Sequence, residues 1–253
     1  MSGHQALIAG YENLLGCDSA DYDGTDYMTT GAGLTGASDV KVGTVSFWFR
    51  LDAGDGTDMT ILHAATTVAG AASRFRVRRT SLDVIEVVGI NAAASTILTL
   101  TSDTQYTASA TWRHFLASWN LATAAGHLYV TDVEDLAAGA TLTDDSIDYT
   151  VADWAIGGQA SGGTLFNGCL AEFYFVLEYI DLSVATNRAK FISTNDRPVS
   201  IGLTGSFPTG TAAIVYQHLD DGEAVANFAV NAGTGGDFTI TGTLATGSTS
   251  PSG

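Results

Sequence analysis

Thr44-Val-Ser-Phe-Trp-Phe-Arg-Leu51 and Trp112-Arg-His-Phe-Leu-Ala-Ser-Trp-Asn120 are the two runs whose reading decides the fold. In the first, Val45, Phe47, Phe49 and Leu51 fall on one side of an extended chain, and Ser46, Trp48 and Arg50 on the other. That two-residue period is the mark of a β-strand. Asp52-Ala-Gly-Asp-Gly-Thr57 follows, and its Asp55-Gly56 step is a strong hairpin signal. Thr60-Ile-Leu-His63 then opens a returning strand. The second run behaves the same way. Leu121-Ala-Thr-Ala-Ala-Gly126 reads as a hairpin loop that returns through His127-Leu-Tyr-Val130.

Outward from these runs the pattern repeats. Ser73-Arg-Phe-Arg-Val-Arg-Arg79 alternates arginines with Phe75 and Val77. Residues 83–90, 96–101, 154–158, 169–177, 213–219 and 237–244 are further strand candidates. In 169–177 the alternation predicts Ala171, Phe173 and Phe175 on one face, with Glu172 and Tyr174 on the other. Helical spacing appears once, in Leu182, Ala185, Ala189 and Ile192, and predicts a short helix near 183–192. Short strands at regular spacing with Gly-rich turns argue for an all-β, two-sheet antiparallel sandwich carrying one short helix. The expected organisation is an N-terminal segment (1–17), a sandwich (18–199) and a C-terminal segment (200–253). Its strands either complete the sandwich or act as an arm toward a neighbouring subunit.

The chain has 253 residues, enough for one large β domain with a core that needs neither disulfide nor metal. Twenty-seven acidic residues against 10 basic ones give a net charge of −17, which repels nucleic-acid backbones and anionic membranes. No run of 18 apolar residues offers a membrane span, so membrane insertion is not expected. The first residues, Met-Ser-Gly-His-Gln-Ala-Leu, lack the basic and apolar regions of a secretory signal. Synthesis and folding in a bacterial cytoplasm are expected, with exit as part of a larger particle or by lysis. Cys17 and Cys169 have no metal or redox spacing, and whether they pair is a question of geometry.

Several motifs together resemble the laminin-G-like branch of the concanavalin A-like superfamily. They are Val45-Ser-Phe-Trp-Phe-Arg-Leu51, Trp112-Arg-His…Ser118-Trp119 leading into Leu128-Tyr-Val130, and Asn167-Gly-Cys-Leu-Ala-Glu-Phe-Tyr-Phe175. The resemblance implies a jelly-roll sandwich. Asp181–Ile192, Arg197–Tyr216, Asn227–Leu244 and the terminal Ser-Thr-Ser-Pro-Ser are similar to a group of phage and prophage proteins with a laminin-G-like domain. That similarity implies a virion surface protein: a capsid decoration, fibre or minor tail subunit whose partners are other virion proteins and copies of itself.

Some relatives of the fold are glycanases, whose signature sets two carboxylates on one strand face. This chain has six glutamates, and none lies two, four or five residues from another, so no enzyme is expected. Gly31-Ala-Gly-Leu-Thr-Gly36 matches a dinucleotide fingerprint but precedes a strand where a helix is required. The five histidines form no ligand pair. No cofactor is expected other than calcium, which the fold often holds at a rim. The acidic turn of Asp52, Asp55 and Asp58 is the candidate site, and Asp18, Asp21, Asp23 and Asp26 form a second acidic cluster. Arg74, Arg76 and Arg78, extended by Arg79, are read either as a solvated face or as a dock for an acidic neighbour, including a second copy. Trp48, Trp112, Trp154 and Tyr174 are candidates for stacking on a host surface glycan, against the plainer reading of core aromatics.

Overall fold

The computed structural model describes residues 16–252. His4, Glu12 and most of the expected N-terminal segment lie outside the described residues. Sixteen strands form two antiparallel eight-stranded sheets. The first sheet is built on three long strands, β3 (Val42–Leu51), β8 (Ser109–Asn120) and β13 (Asn167–Val176), with β3 in the middle. Beyond β8 lie β9 (Ala125–Val130) and β10 (Val133–Glu134). The far edge of β13 is shared: β1 (Ala20–Asp23) pairs with its first half and β14 (Val215–Gln217) with its second. β16 (Ala245–Thr246) closes that side on β1.

The second sheet runs β11 (Thr141–Leu142), β7 (Thr96–Thr101), β6 (Ile85–Ile90), β5 (Ser73–Arg79), β4 (Met59–Ala65), β12 (Asp153–Ile156), β2 (Tyr27–Thr29) and β15 (Thr239–Thr241). The segment after Ser200 therefore gives strands to both sheets.

The alternation read from the sequence sets the core. Val45, Phe47, Phe49 and Leu51 face inward from the first sheet, and Phe75 and Val77 from the second. An aromatic knot ties the layers: Phe75 stacks on Phe175 at 5.3 Å between centroids, with Trp119 at 5.4 Å from Phe75 and Trp154 at 5.5 Å from Phe175. Such pairs add to area burial and fix side-chain positions. Gly168 shows why a small residue is needed here. A Cβ at that position would stand 2.0 Å from the Arg50 carbonyl oxygen of β3.

The expected short helix is present as a single turn, Ala185–Arg188. One expectation changes: β13 breaks its alternation. A bulge lies between Ala171 and Tyr174, where Glu172 has φ +48°. Phe173 and Phe175 point into the core, but Ala171 packs outside it against Trp48 and Ile192. One extra residue shifts the face of every residue before it.

The outer face of the first sheet is roofed. Leu182, Phe191, Ile201 and Ala213, from the segment between β13 and β14, cover Leu116, Tyr129, Tyr174 and Tyr216. The C-terminal tail straps the neighbouring part. Gly247 donates to the Ser19 carbonyl at 2.8 Å, Ser19 Oγ donates to the Thr249 carbonyl at 2.9 Å, and Ser252 Oγ donates to the Cys17 carbonyl at 3.1 Å. The outer face of the second sheet carries no comparable apolar layer among the described residues.

Candidate functional site

The open face of the second sheet starts from β5. Because Phe75 and Val77 face inward, Arg74, Arg76 and Arg78 face outward. Cross-strand pairing extends each position into a row. One row runs Ala155, His63, Arg76, Val88, Thr99 and Thr141 across β12, β4, β5, β6, β7 and β11. At about 4.8 Å per strand it spans roughly 24 Å. The next runs Thr60, Arg78, Glu86 and Thr101. His63, Val88 and Thr60 are a buried floor, and the arginines with Thr99, Thr101 and Thr141 are half-buried. Lying arginine stems cover apolar sheet surface while their heads stay at the solvent boundary.

The arginines differ in partners. Arg74 pairs with Asp148 at 2.9 Å. Arg78 pairs with Glu86 at 2.8 Å and Asp58 at 3.2 Å. Among the described residues Arg76 has no carboxylate within salt-bridge distance, and its buried Nε has no hydrogen-bond partner there. Burial, reinforced by Arg78, lowers its guanidinium below the ordinary value. His63, opposite it, is held neutral: burial brings its ring down to about 4. Its Nδ1 accepts from the Ala160 amide at 3.3 Å, which pins the loop after β12 beside the row.

Arg79 departs from the docking reading. Next to outward Arg78 it points to the opposite, inward side, is fully buried, and is neutralised within the chain by Asp83 at 2.9 Å and Asp55 at 3.1 Å. It also donates to the carbonyls of Gly54 and Tyr106. Arg79 is a clamp for the turn after β3, with no donor facing a partner.

The acidic turn does not converge. Asp52 takes a bidentate bond from Arg50, at 2.8 Å on each oxygen. Asp55 is held by Arg79 and the Ala108 amide, and Asp58 by Arg78 and the Ser81 amide. The second acidic cluster is likewise divided, with Asp26 receiving the Thr243 amide and Asp18 the Gly222 amide. The structure does bring Asp21 and Asp52 together with Cys169, one ligand atom of each within 4.8 Å of the others. Arg50 already neutralises Asp52 there. Cys17 and Cys169 are free, buried thiols, and burial pushes Cys169 up to about 12.

Of the four stacking candidates, Trp154 lies in the core, and Trp48 and Tyr174 lie beneath the roof of the first sheet, all three buried. The physical reason is the roof itself: Ile192 covers Trp48 and Phe191 meets Tyr174 edge-on at 5.4 Å. Trp112 stays half-exposed, donating from Nε1 to Thr249 Oγ1 at 3.0 Å with the Arg50 guanidinium 5.9 Å from its ring centroid.

Glu172 was missed as a special residue. It is buried at the bulge, where Tyr216 donates to Oε2 at 2.7 Å and Oε1 has no partner. Burial raises its carboxyl to about 8. The one hint was a lone acid inside the apolar run Cys169–Val176. The His63–Arg76–Val88–Thr99 row was legible only once strand register was known.

Residues 22–176 match the concanavalin A-like lectin/glucanases superfamily, in its laminin-G-like branch. The chain belongs to that superfamily. Among solved structures it is similar to a candidate carbohydrate-binding protein from Bacteroides ovatus, with TM-score 0.63 and 15% identity, covering 93% of this chain and 61% of that one. It is also similar to a heptameric SAP-like pentraxin from Limulus polyphemus, with TM-score 0.55 and 12% identity, covering 91% and 94% of the two chains. The chain thus spans about three fifths of the Bacteroides protein's length. At these identities the likeness is one of fold. No curated protein matches the sequence. Among the described residues no helix is long and apolar enough to cross a membrane.

Proposed function

We propose that the protein is a non-catalytic carbohydrate-binding module that receives its ligand on the open face of the second sheet. The observation that carries this reading is the uncovered row of polar side chains, Arg76, Thr99 and Thr141 with Arg78, Glu86 and Thr101 beside them, on a buried floor of His63 and Val88. Hydroxyl and guanidinium groups at sheet spacing suit the hydroxyls of successive sugar rings. Membership of a lectin and glucanase superfamily, and the fold of the Bacteroides carbohydrate-binding candidate, support it. Against catalysis stand two of the six glutamates: Glu86 is held by Arg78, and Glu172 is buried beneath Tyr216. Paired, accessible carboxylates are what glycoside hydrolysis requires. A glycan array with the purified chain tests the reading. Binding without cleavage, reduced by Thr99→Ala with Thr141→Ala, is expected. Product release from the bound glycan, or an array without hits, overturns it.

The similarity of residues 181–253 to phage and prophage proteins favours a setting for this module. In it the chain is an oligomeric decoration, fibre or minor tail subunit on a virion surface, contacting other virion proteins and presenting the open face toward host glycans. Immunogold labelling of particles tests that setting, and unlabelled particles contradict it.

A further inference from the structure

We propose that Arg76 is a carboxylate-recognition residue and that the glycan bound on the open face is acidic, carrying a uronate-type or sialate-type carboxyl group. The inference rests on the carbohydrate-binding reading and adds the ligand's chemical class. Its basis is the contrast along one strand. Arg74 and Arg78 are each bridged by carboxylates of this chain, yet Arg76 between them is not. Its contact with Ser73 Oγ, from Nη1, is long, at 3.5 Å. Its Nε is buried with no acceptor. A half-buried guanidinium with an orphaned donor is costly until an acceptor arrives.

The surroundings favour a planar anion at that spot. Glu86 pairs across the sheet with Arg78, and Val88 pairs with Arg76. The nearest acid on β6 therefore lies one row away and is already held by Arg78 at 2.8 Å. Val88 and His63 on either side of Arg76 are buried and uncharged. A low-dielectric floor strengthens a bidentate guanidinium–carboxylate pair. The Thr99 hydroxyl, two strands along the row, reaches the ring hydroxyls of the same sugar or its neighbour. The net charge of −17 does not oppose this at close range, because salt screens distant charges within about 8 Å at physiological ionic strength. It does set a specificity, since an anion is tolerated only where a cation is left free.

The test is calorimetric titration of the whole chain with uronate- and sialate-containing oligosaccharides and with the same oligosaccharides after carboxyl reduction. Wild type is expected to bind at least one acidic form about tenfold more tightly than its reduced counterpart. Arg76→Gln is expected to remove that preference, and Arg76→Lys to keep a reduced one, since a lysine retains charge but not the fork. Unchanged thermal melts establish that both variants fold. Equal affinity of wild type for acidic and reduced forms overturns the carboxylate assignment and leaves the carbohydrate reading standing, as does an Arg76→Gln variant with undiminished preference. Absence of binding to every oligosaccharide overturns both. In that case an Arg76-dependent dimer in analytical ultracentrifugation assigns the residue to an acidic side chain of a second copy.

Discussion

The two outer faces of this sandwich begin from the same alternation and end in opposite states. On the first sheet, Ser46, Trp48 and Arg50 face outward, and the chain covers them and their neighbours with the segment between β13 and β14 and with its own tail. On the second sheet, Arg74, Arg76 and Arg78 face outward and no apolar layer covers them among the described residues. Of the two outer faces, the large aromatics lie on the covered one, so the tryptophans there point to a surface that the chain itself packs against. A sheet face rich in aromatics demands burial. A face of arginine and threonine above a thin apolar floor can remain open.

Removing the cover is the most severe way to break this comparison. Deleting residues 200–253 takes away β14, β15 and β16 together with Ile201 and Ala213 of the roof. The truncated chain is expected to lose cooperative thermal unfolding by circular dichroism, and a native-like melt would show that the roof is dispensable. Single tryptophans sharpen the contrast. Trp154→Ala is expected to cost about 3–5 kcal/mol in urea titrations. Arg79→Met, which frees Asp55, Asp83 and two carbonyls, is expected to cost about 3 kcal/mol. Arg76→Met, which abandons no carboxylate and removes a buried donor that has no acceptor, is expected to raise stability by about 1–2 kcal/mol.

Glu172 gives a pH test of the covered face. Its folded carboxyl titrates near 8 against an ordinary 4.5, so the folded state holds a proton that the unfolded state has released. Its contribution is complete below about 4.5, falls as pH rises, and is lost above about 8. Glu172→Gln is therefore expected to flatten the fall in stability between those values, by on the order of 5 kcal/mol across the whole interval. Identical pH profiles of wild type and variant would contradict the buried, protonated acid. The smallest effect is expected at Trp112→Ala: under about 1 kcal/mol, with glycan binding unchanged.

Most of the sandwich was legible because period-two patterning and turn residues are local signals. Ser73–Arg79 and Thr96–Thr101 are strands over the residues whose pattern announced them. The bulge at Glu172 was not, because a left-handed residue inside an apolar run keeps the same letters as a regular strand. Arg79 was misassigned for another reason: period two from Phe75 and Val77 already puts position 79 inward, but its charge grouped it with the outward arginines. The acidic turn misled for a related reason. Asp52, Asp55 and Asp58 are close in sequence, but each answers a different arginine, on β3 and β5. The open-face row joins residues 63, 76, 88 and 99, and only register brings them side by side.

The most direct test of the account is chemical-shift mapping of the isotopically labelled protein during titration with an oligosaccharide it binds. The account predicts that perturbations centre on Arg76, Val88 and Thr99 of β5, β6 and β7, with Trp112 and Arg50 unmoved. Perturbations centred on Trp112, Arg50 and the tail around Thr249 would place the ligand on the covered face and contradict it.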